Sequence, residues 1–394
     1  MPRNIVICCD GTNNEIAGDS TNVLRLYRML VKDSQQIAYY DCGVGTIANP
    51  DRISGIGRSF SRLFDSSMGL TIRQHFLNAY RFLVKHYQPG DKIFLTGFSR
   101  GAYTARALAG AIHMMGIARP ELESLADLVW AIYSGENANV GDKFAAANRF
   151  RKAFVVKDSS VAPLNGKEQD VKVHCVGVWD TVSAFGAISD LRSLPYTANN
   201  PSIVHVRHAL AIDERRAMFQ ANRFKPKTPE QHGSIKEVWF AGVHSDVGGG
   251  YSETDRAAQK DQPAVEGSTL SKVSLEWMLR ELTLNGLKID ETNHQHLMNT
   301  AKHPPADPFA IQHESLNGVW NFLELLPQRR YSARAGEPAW HWPNFWRHRH
   351  MQPPPVNGVA APPPTIHASV VERMQNSVCN YKPRNLPAKY LIEQ

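Results

Sequence analysis

A serine stands between two glycines in Gly97-Phe98-Ser99-Arg100-Gly101, directly after the apolar run "KIFLTGF" and directly before the alanine-rich "AYTARALAGAI". The pattern G-x-S-x-G in that setting predicts a strand-to-helix corner that holds the serine hydroxyl out at the sheet edge. Such a corner forces Ser99 into a strained backbone conformation. Side chains at 97 and 101 would crowd each other or the neighbouring strand, and Gly97 and Gly101 relieve that. The following helix aims its positive end at the hydroxyl. The alternative is a tight turn whose serine merely caps the helix.

A hydroxyl is a weak nucleophile until a base takes its proton, and the base needs a carboxylate to orient it. Asp180 ends "VHCVGVWD" and His244 ends "EVWFAGVH", each at the tip of a predicted strand, and His244 opens the glycine-rich "HSDVGGGY". Asp246 is the rival for the acid role, or else it orders the histidine loop. Among competing histidines, His174 falls inside its strand, His205 and His208 beside a predicted helix start, and His367 after a proline tract. Acyl transfer also needs donors aimed at the developing oxyanion. The backbone N–H of Arg100 is one; Gly11 and Thr12 in "CDGTNN" are candidates for the second. Asp10 either orients that loop or forms an ordinary Asx turn. A metal-dependent hydrolase with Asp10, Asp180, His244 and Asp246 as ligands is an alternative without tight ligand spacing. An inactive binding module on the same fold is another.

The elements that must position these groups alternate between short β-rich runs and helix-period stretches, which predicts a mostly parallel sheet with helices on both faces. "NIVICCD", "QIAYYDCGVG", "KIFLTGF", "VKVHCVGVWD" and "KEVWFAGVH" read as strands. "TNVLRLYRMLV", with Ser20 or Thr21 as N-cap, "LTIRQHFLNAYRFLVKHY", "RHALAIDERRAMF" and "SKVSLEWMLRELTLNG" read as helices, the last with Gly286 at its C-terminal cap. Residues 1–335 are expected to form one large catalytic domain with helical and loop insertions. Residues 336–394, rich in Pro, Trp and His, are expected to pack on it as an extension.

Within that frame, residues 46–69 lack a clean period and are a candidate lid, or else a plain surface loop. Ile56, Phe60 and Leu63 would line it, and Arg52, Arg58 and Arg62 would face anionic head groups. In "WHWPNFWRHRH", Trp340, Trp342, Phe345 and Trp346 beside Arg347 and Arg349 suit peripheral contact with a lipid interface. Packing against the domain is the favoured alternative. The proline-rich "PPPVNGVAAPPP" reads as solvated chain.

The five cysteines are odd in number and two are adjacent, which points to a reduced chain. "MPRNIVICCDGT" runs straight into a strand, so no secretory leader is expected. No apolar run approaches the ~18 residues of a bilayer span. The net charge of +7 is spread along the chain, which argues against nucleic acid as a partner and suits anionic substrates or surfaces.

Taken together, "NIVICCDGTNN", "PGDKIFLTGFSRGAYTARALAG", "GVWDTV", "VHSDVGGGY" and "IHASVVER" resemble a family within the α/β hydrolases. It is the bacterial and fungal hydrolase domain that includes phospholipase effectors of type VI secretion. The resemblance implies an esterase or lipase using Ser99, Asp180 and His244 on acyl esters, phospholipids being the best-known class, with no cofactor. It covers nearly the whole chain. The better-known effectors carry an additional membrane-anchoring region for which this chain has little room, so a cytoplasmic esterase is expected, with signal-independent export as the alternative. Asp10-Gly11-Thr12 also resembles an aspartyl phosphatase motif, but Cys8 stands where the attacking carboxylate would be.

Overall fold

Successive residues of strand β1 (Asn4–Cys9) face opposite sides of a sheet: Ile5, Ile7 and Cys9 enter one hydrophobic core, Val6 and Cys8 another. This two-sided burial removes the polar–apolar alternation of a half-exposed strand and leaves a continuous apolar run, as parallel strands require. In the computed structural model, residues 2–11, 21–42, 67–135, 140–158, 171–182, 194–216, 219–225, 234–251, 269–316, 328–331, 338–341, 348–352 and 362–394 are described. The candidate lid (46–66 of it), Thr12, Trp342, Phe345, Trp346, Arg347 and most of the proline tract lie outside these residues.

The remaining strands of the sheet are β2 (Gln36–Asp41), β3 (Lys92–Phe98), β4 (Val173–Trp179), β5 (Ile203–Ala211), β6 (Ile235–Phe240), β9 (Thr365–His367) and β10 (Leu391–Glu393). They run β10-β9-β6-β5-β4-β3-β1-β2, and every pairing is parallel. A separate antiparallel hairpin joins β7 (Gln328–Tyr331) and β8 (Pro338–His341). The chain first winds outward from β1 to β2, then returns to the other side of β1 at β3. That reversal opens a crevice beyond the carboxyl ends of β1 and β3, where open parallel sheets bind ligands.

Helix α1 (Asn22–Met29) starts at Thr21, whose hydroxyl accepts from the Leu24 amide. Helices α2 (Ser67–His86), α3 (Arg100–Met115), α4 (Ala126–Ser134) and α5 (Val140–Phe154) cover one face. A short α6 (His244–Gly248) follows β6. With α1, α7 (Leu270–Leu284) and α8 (Glu291–Met298) cover the opposite face. Gly286 follows α7 with φ 96°, the left-handed conformation expected of a residue that ends a helix. Helix α9 (Ala368–Gln375) follows β9 directly, so residues near the C-terminus add two strands and a helix to the sheet and a core around Leu210, Trp239, Ile366 and Val370.

One predicted element is wrong. The stretch "RHALAIDERRAMF" was expected to be helical, but Arg207–Ala211 is the end of β5, with His205 and His208 inside the strand. β5 lies between β4 and β6, buried from Val206 to Ala211, and the run of alanine and leucine mimicked a helix because neither face of this stretch is solvent-exposed, which removes the polar–apolar alternation of a strand.

Candidate active site

Ser99 follows the last residue of β3 and precedes α3 with φ 57° and ψ −119°, a conformation that non-glycine residues rarely adopt. Its amide donates to the Trp179 carbonyl at 3.1 Å, tying the corner to the tip of β4. The serine side chain makes no helix-capping bond, contrary to the turn-cap alternative. Both flanking glycines are required by space. A Cβ on Gly97 would lie 2.6 Å from the Gly101 carbonyl oxygen, and one on Gly101 2.1 Å from the Cys9 carbonyl oxygen.

Asp180 is the next residue after β4 and also has positive φ, at 37°. It is fully buried, and its two oxygens have four partners. Oδ1 accepts from the Ala211 amide at 3.0 Å and from Arg349 Nη1 at 2.5 Å. Oδ2 accepts from His244 Nδ1 at 2.6 Å and from Arg349 Nη2 at 3.0 Å. Burial pushes the carboxyl up, but the Arg349 guanidinium and the His244 bond prevail and hold it well below the usual carboxylate range. An ionised carboxylate can only accept, so Nδ1 of His244 carries the proton and Nε2 is left with its lone pair.

His244 lies four residues beyond β6, at the start of α6. Its ring sits between two phenylalanines, with centroid distances of 4.6 Å to Phe98 and 4.9 Å to Phe219. Phe98 immediately precedes Ser99, so the histidine loop reaches the serine corner from two strands beyond β4. Burial lowers the imidazole below its ordinary 6.5, outweighing the opposing pull of Asp180. The His244 amide donates to Glu214 Oε2 at 3.2 Å. Glu214 is itself buried and held at about 2: burial opposes the charge, and the paired Arg216 guanidinium overcomes it.

The other expected residues have distinct places. Asp246 does not pair with His244; its carboxylate accepts from the Val243 amide at 3.0 Å and from His313 Nδ1 at 2.6 Å, and His313 stacks on Tyr251. The Val243 amide it binds lies one residue before His244. Asp10 accepts from the Gly11 amide at 2.7 Å, Thr21 Oγ1 at 2.5 Å and Tyr40 Oη at 2.7 Å. The Gly11 N–H is therefore engaged within its own loop in this structure. Arg100 opens α3, and burial pulls its guanidinium down to about 10. For the metal alternative, Asp10, Asp180 and Asp246 each face a separate set of donors. Among the described residues, no group of three or more His, Cys, Asp or Glu side chains could hold a metal ion.

Arg349 follows the favoured alternative of packing against the domain rather than facing a lipid interface: it is 2% exposed and bound to Asp180. Neither Arg349 nor Glu214 was legible as a site residue. Arg349 stands in a Trp- and His-rich run that reads as surface, and Glu214 in "IDERR" reads as a solvated charge cluster. Phe98 and Phe219 carried no signal beyond their apolarity. None of the described helices is long and apolar enough to cross a membrane.

Residues 3–281 match the model of the T6SS phospholipase effector Tle1-like catalytic domain. An uncharacterised protein of Saccharomyces cerevisiae is 33% identical over 237 residues, covering 57% of this chain and 33% of its own length. The chain thus spans one third of that relative. Two solved structures are similar: an uncharacterised protein from Pseudomonas aeruginosa, with TM-score 0.43, 17% identity and coverage of 73% of this chain and 46% of that one; and the Tle1 effector bound to the VgrG spike of the type 6 secretion system, with TM-score 0.42, 20% identity and coverage of 75% and 76%. With most of its length matched by the family model, the chain belongs to the Tle1-like family of type VI secretion phospholipase effector catalytic domains.

Proposed function

We propose that the chain hydrolyses the carboxylic esters of lipids, phospholipids foremost, with Ser99 as nucleophile, His244 as general base and acid, and Asp180 as the orienting carboxylate. One observation carries the reading: the 2.6 Å bond between His244 Nδ1 and an ionised, buried Asp180, made beside the Ser99 corner. It leaves Nε2 as the basic atom, the tautomer that serine activation needs. Family membership supports the choice of a lipid ester as substrate.

In this mechanism Ser99 Oγ attacks the ester carbonyl carbon while its proton passes to His244 Nε2. The carbonyl electron pair moves onto oxygen. Collapse of the tetrahedral species breaks the bond to the alcohol, which leaves with the proton from Nε2, and the acyl group stays on Ser99. Water then attacks the acyl carbon, giving a proton to Nε2; the fatty acid departs and Ser99 recovers its proton. The Arg100 N–H at the start of α3 is the proposed first oxyanion donor. Gly11 and Thr12 remain the proposed second source, with Gly11 exchanging its bond to Asp10 for one to the oxyanion. Asp10 and Asp246 act as supports, holding the β1 tip and the histidine loop.

The test is turnover of a chromogenic short-chain ester and of phosphatidylcholine vesicles by wild type and Ser99→Ala, with and without EDTA. The expected result is EDTA-resistant release of fatty acid by wild type only. Activity that persists in Ser99→Ala would falsify the nucleophile assignment. Loss with EDTA points to the metal-dependent alternative, and absence of turnover on every ester points to a binding module.

A further inference from the structure

We propose that Arg349 is a positioning residue of this site: acting through Asp180, it fixes the carboxylate against His244 and so sets which imidazole nitrogen carries the proton. The proposal rests on the Ser99–His244–Asp180 reading and adds a residue to it. Arg349 also lies beyond residues 3–281, the part of the chain matched by the family model.

The guanidinium is placed as a two-pronged clamp. Nη1 and Nη2 take one carboxylate oxygen each, at 2.5 and 3.0 Å, with both side chains at or below 1% exposure. Such a fork fixes the plane of the carboxylate as well as its charge, which a lysine cannot do. The donors left over bind backbone: Nη1 donates to the Ala211 carbonyl at 3.0 Å, and Nε to the Phe219 carbonyl at 3.0 Å, with Nη2 bonding the same carbonyl. Ala211 ends β5, and the Phe219 ring faces His244. One side chain therefore joins the acid, the strand tip beside it and the segment that covers the base. Asn385 holds Arg349 in turn, its Nδ2 donating to the carbonyls of Arg349 and Ile212 at 3.0 Å each.

The chemical consequence follows from the burial of Asp180, which has no solvent exposure. A carboxylate with no solvent exposure and only neutral partners, here the Ala211 amide and the imidazole, favours its protonated form. A protonated carboxyl donates to Nδ1, and the imidazole then carries its hydrogen on Nε2, where it cannot accept the serine proton. Arg349 removes that outcome by supplying the countercharge. The charged groups around the imidazole are Asp180, Arg349 through it, Glu214 and Arg216. Of these, Arg349 bonds the carboxylate that holds Nδ1, and Arg216 bonds Glu214.

The experiment compares Arg349→Met, Arg349→Lys, Arg349→Ala, Asp180→Asn and Ser99→Ala on a chromogenic ester. Arg349→Met is expected to lower kcat by about 10²-fold or more, towards the ~10⁴-fold loss of a mis-set tautomer, with KM little changed. Arg349→Lys retains charge without the fork and falls between the two. Added guanidinium restores part of the activity of Arg349→Ala and none of that of Asp180→Asn or Ser99→Ala. The downfield proton resonance of the His244 Nδ1–H, present in wild type, is lost in Arg349→Met. A folded Arg349→Met with wild-type kcat and an unchanged resonance overturns the proposal. If that variant does not fold, a folded Arg349→Lys with wild-type kcat and pH profile overturns it equally. Full activity in Arg349→Met beside an inactive Ser99→Ala counts against Arg349 alone; an active Ser99→Ala counts against the nucleophile on which both readings rest.

Discussion

Gly101 and Cys9 meet at backbone contact: a Cβ added to the glycine would lie 2.1 Å from the Cys9 carbonyl oxygen and 2.5 Å from that of Asp10. The first turn of α3 thus seats directly on the tip of β1, and the obstacle is main chain, which cannot swing aside. Gly101→Ala must push the helix start away from the sheet. Overpacking of this kind typically costs about 1–3 kcal/mol, and the displaced Arg100 amide should cost activity as well. Denaturant unfolding and kcat measured together are the check; an alanine variant that keeps both unchanged means the contact is not as close as it stands here.

With His244 as the proposed base, its electrostatics set the acid limb of the pH–rate profile. The proposed mechanism needs the neutral imidazole, and burial lowers this group below its ordinary 6.5. Half-protonation then falls below pH 6.5, so the acid limb of kcat/KM should be centred below 6.5, with activity lost as pH drops through it. Asp180 stays charged throughout that window because Arg349 and His244 overcome its burial, so it adds no second inflection. A measured acid limb centred above 6.5 contradicts the burial of the base.

Asp180 and Asp246 are both buried acids close in sequence to strand tips, and their partners separate their roles. Asp180 faces His244; Asp246 faces the Val243 amide and His313. Asp180→Asn should lower kcat by about 10⁴-fold through the wrong tautomer. Asp246→Ala should loosen the histidine loop, with a loss of roughly 10- to 100-fold and a lowered melting temperature, since a buried amide and His313 both lose an acceptor. Steady-state kinetics on the two purified variants decides it: equal losses, or the larger one in Asp246→Ala, reverse the assignment.

The sequence made the strand tips legible and the connections between them far less so. Ser99, Asp180 and His244 stood out as candidates because each ends an apolar run, and a parallel sheet gathers such ends along one edge. Gly97 and Gly101 could be read because only a sharp corner explains glycine on both sides of a serine. β5 was misread because a strand buried on both faces has no polar alternation, so "RHALAI" fits a helix as well as a strand. Arg349 could not be found at all: its partner lies 169 residues away, and nothing in "WRHRH" distinguishes a buried fork from a solvated base. Local pattern reports which residues end an element, whereas long-range pairing depends on how far a loop reaches back.

Gly248 offers a test of the histidine's setting that touches neither the triad nor its hydrogen bonds. It closes α6, and a Cβ there would lie 2.0 Å from Phe98 Cε2 and 2.2 Å from Cδ2. Phe98 in turn lies 4.6 Å from the His244 ring and immediately before Ser99. An alanine at 248 therefore has to displace the phenyl ring, which is only 5% exposed and packed in the core. The ring can move only by disturbing the imidazole on one side or the β3 tip on the other. Gly248→Ala is expected to lower kcat on both ester and vesicle substrates, while Phe98→Leu combined with Gly248→Ala recovers part of the loss because the smaller side chain yields the space. A double variant no more active than Gly248→Ala alone shows that the glycine serves some need other than room for Phe98.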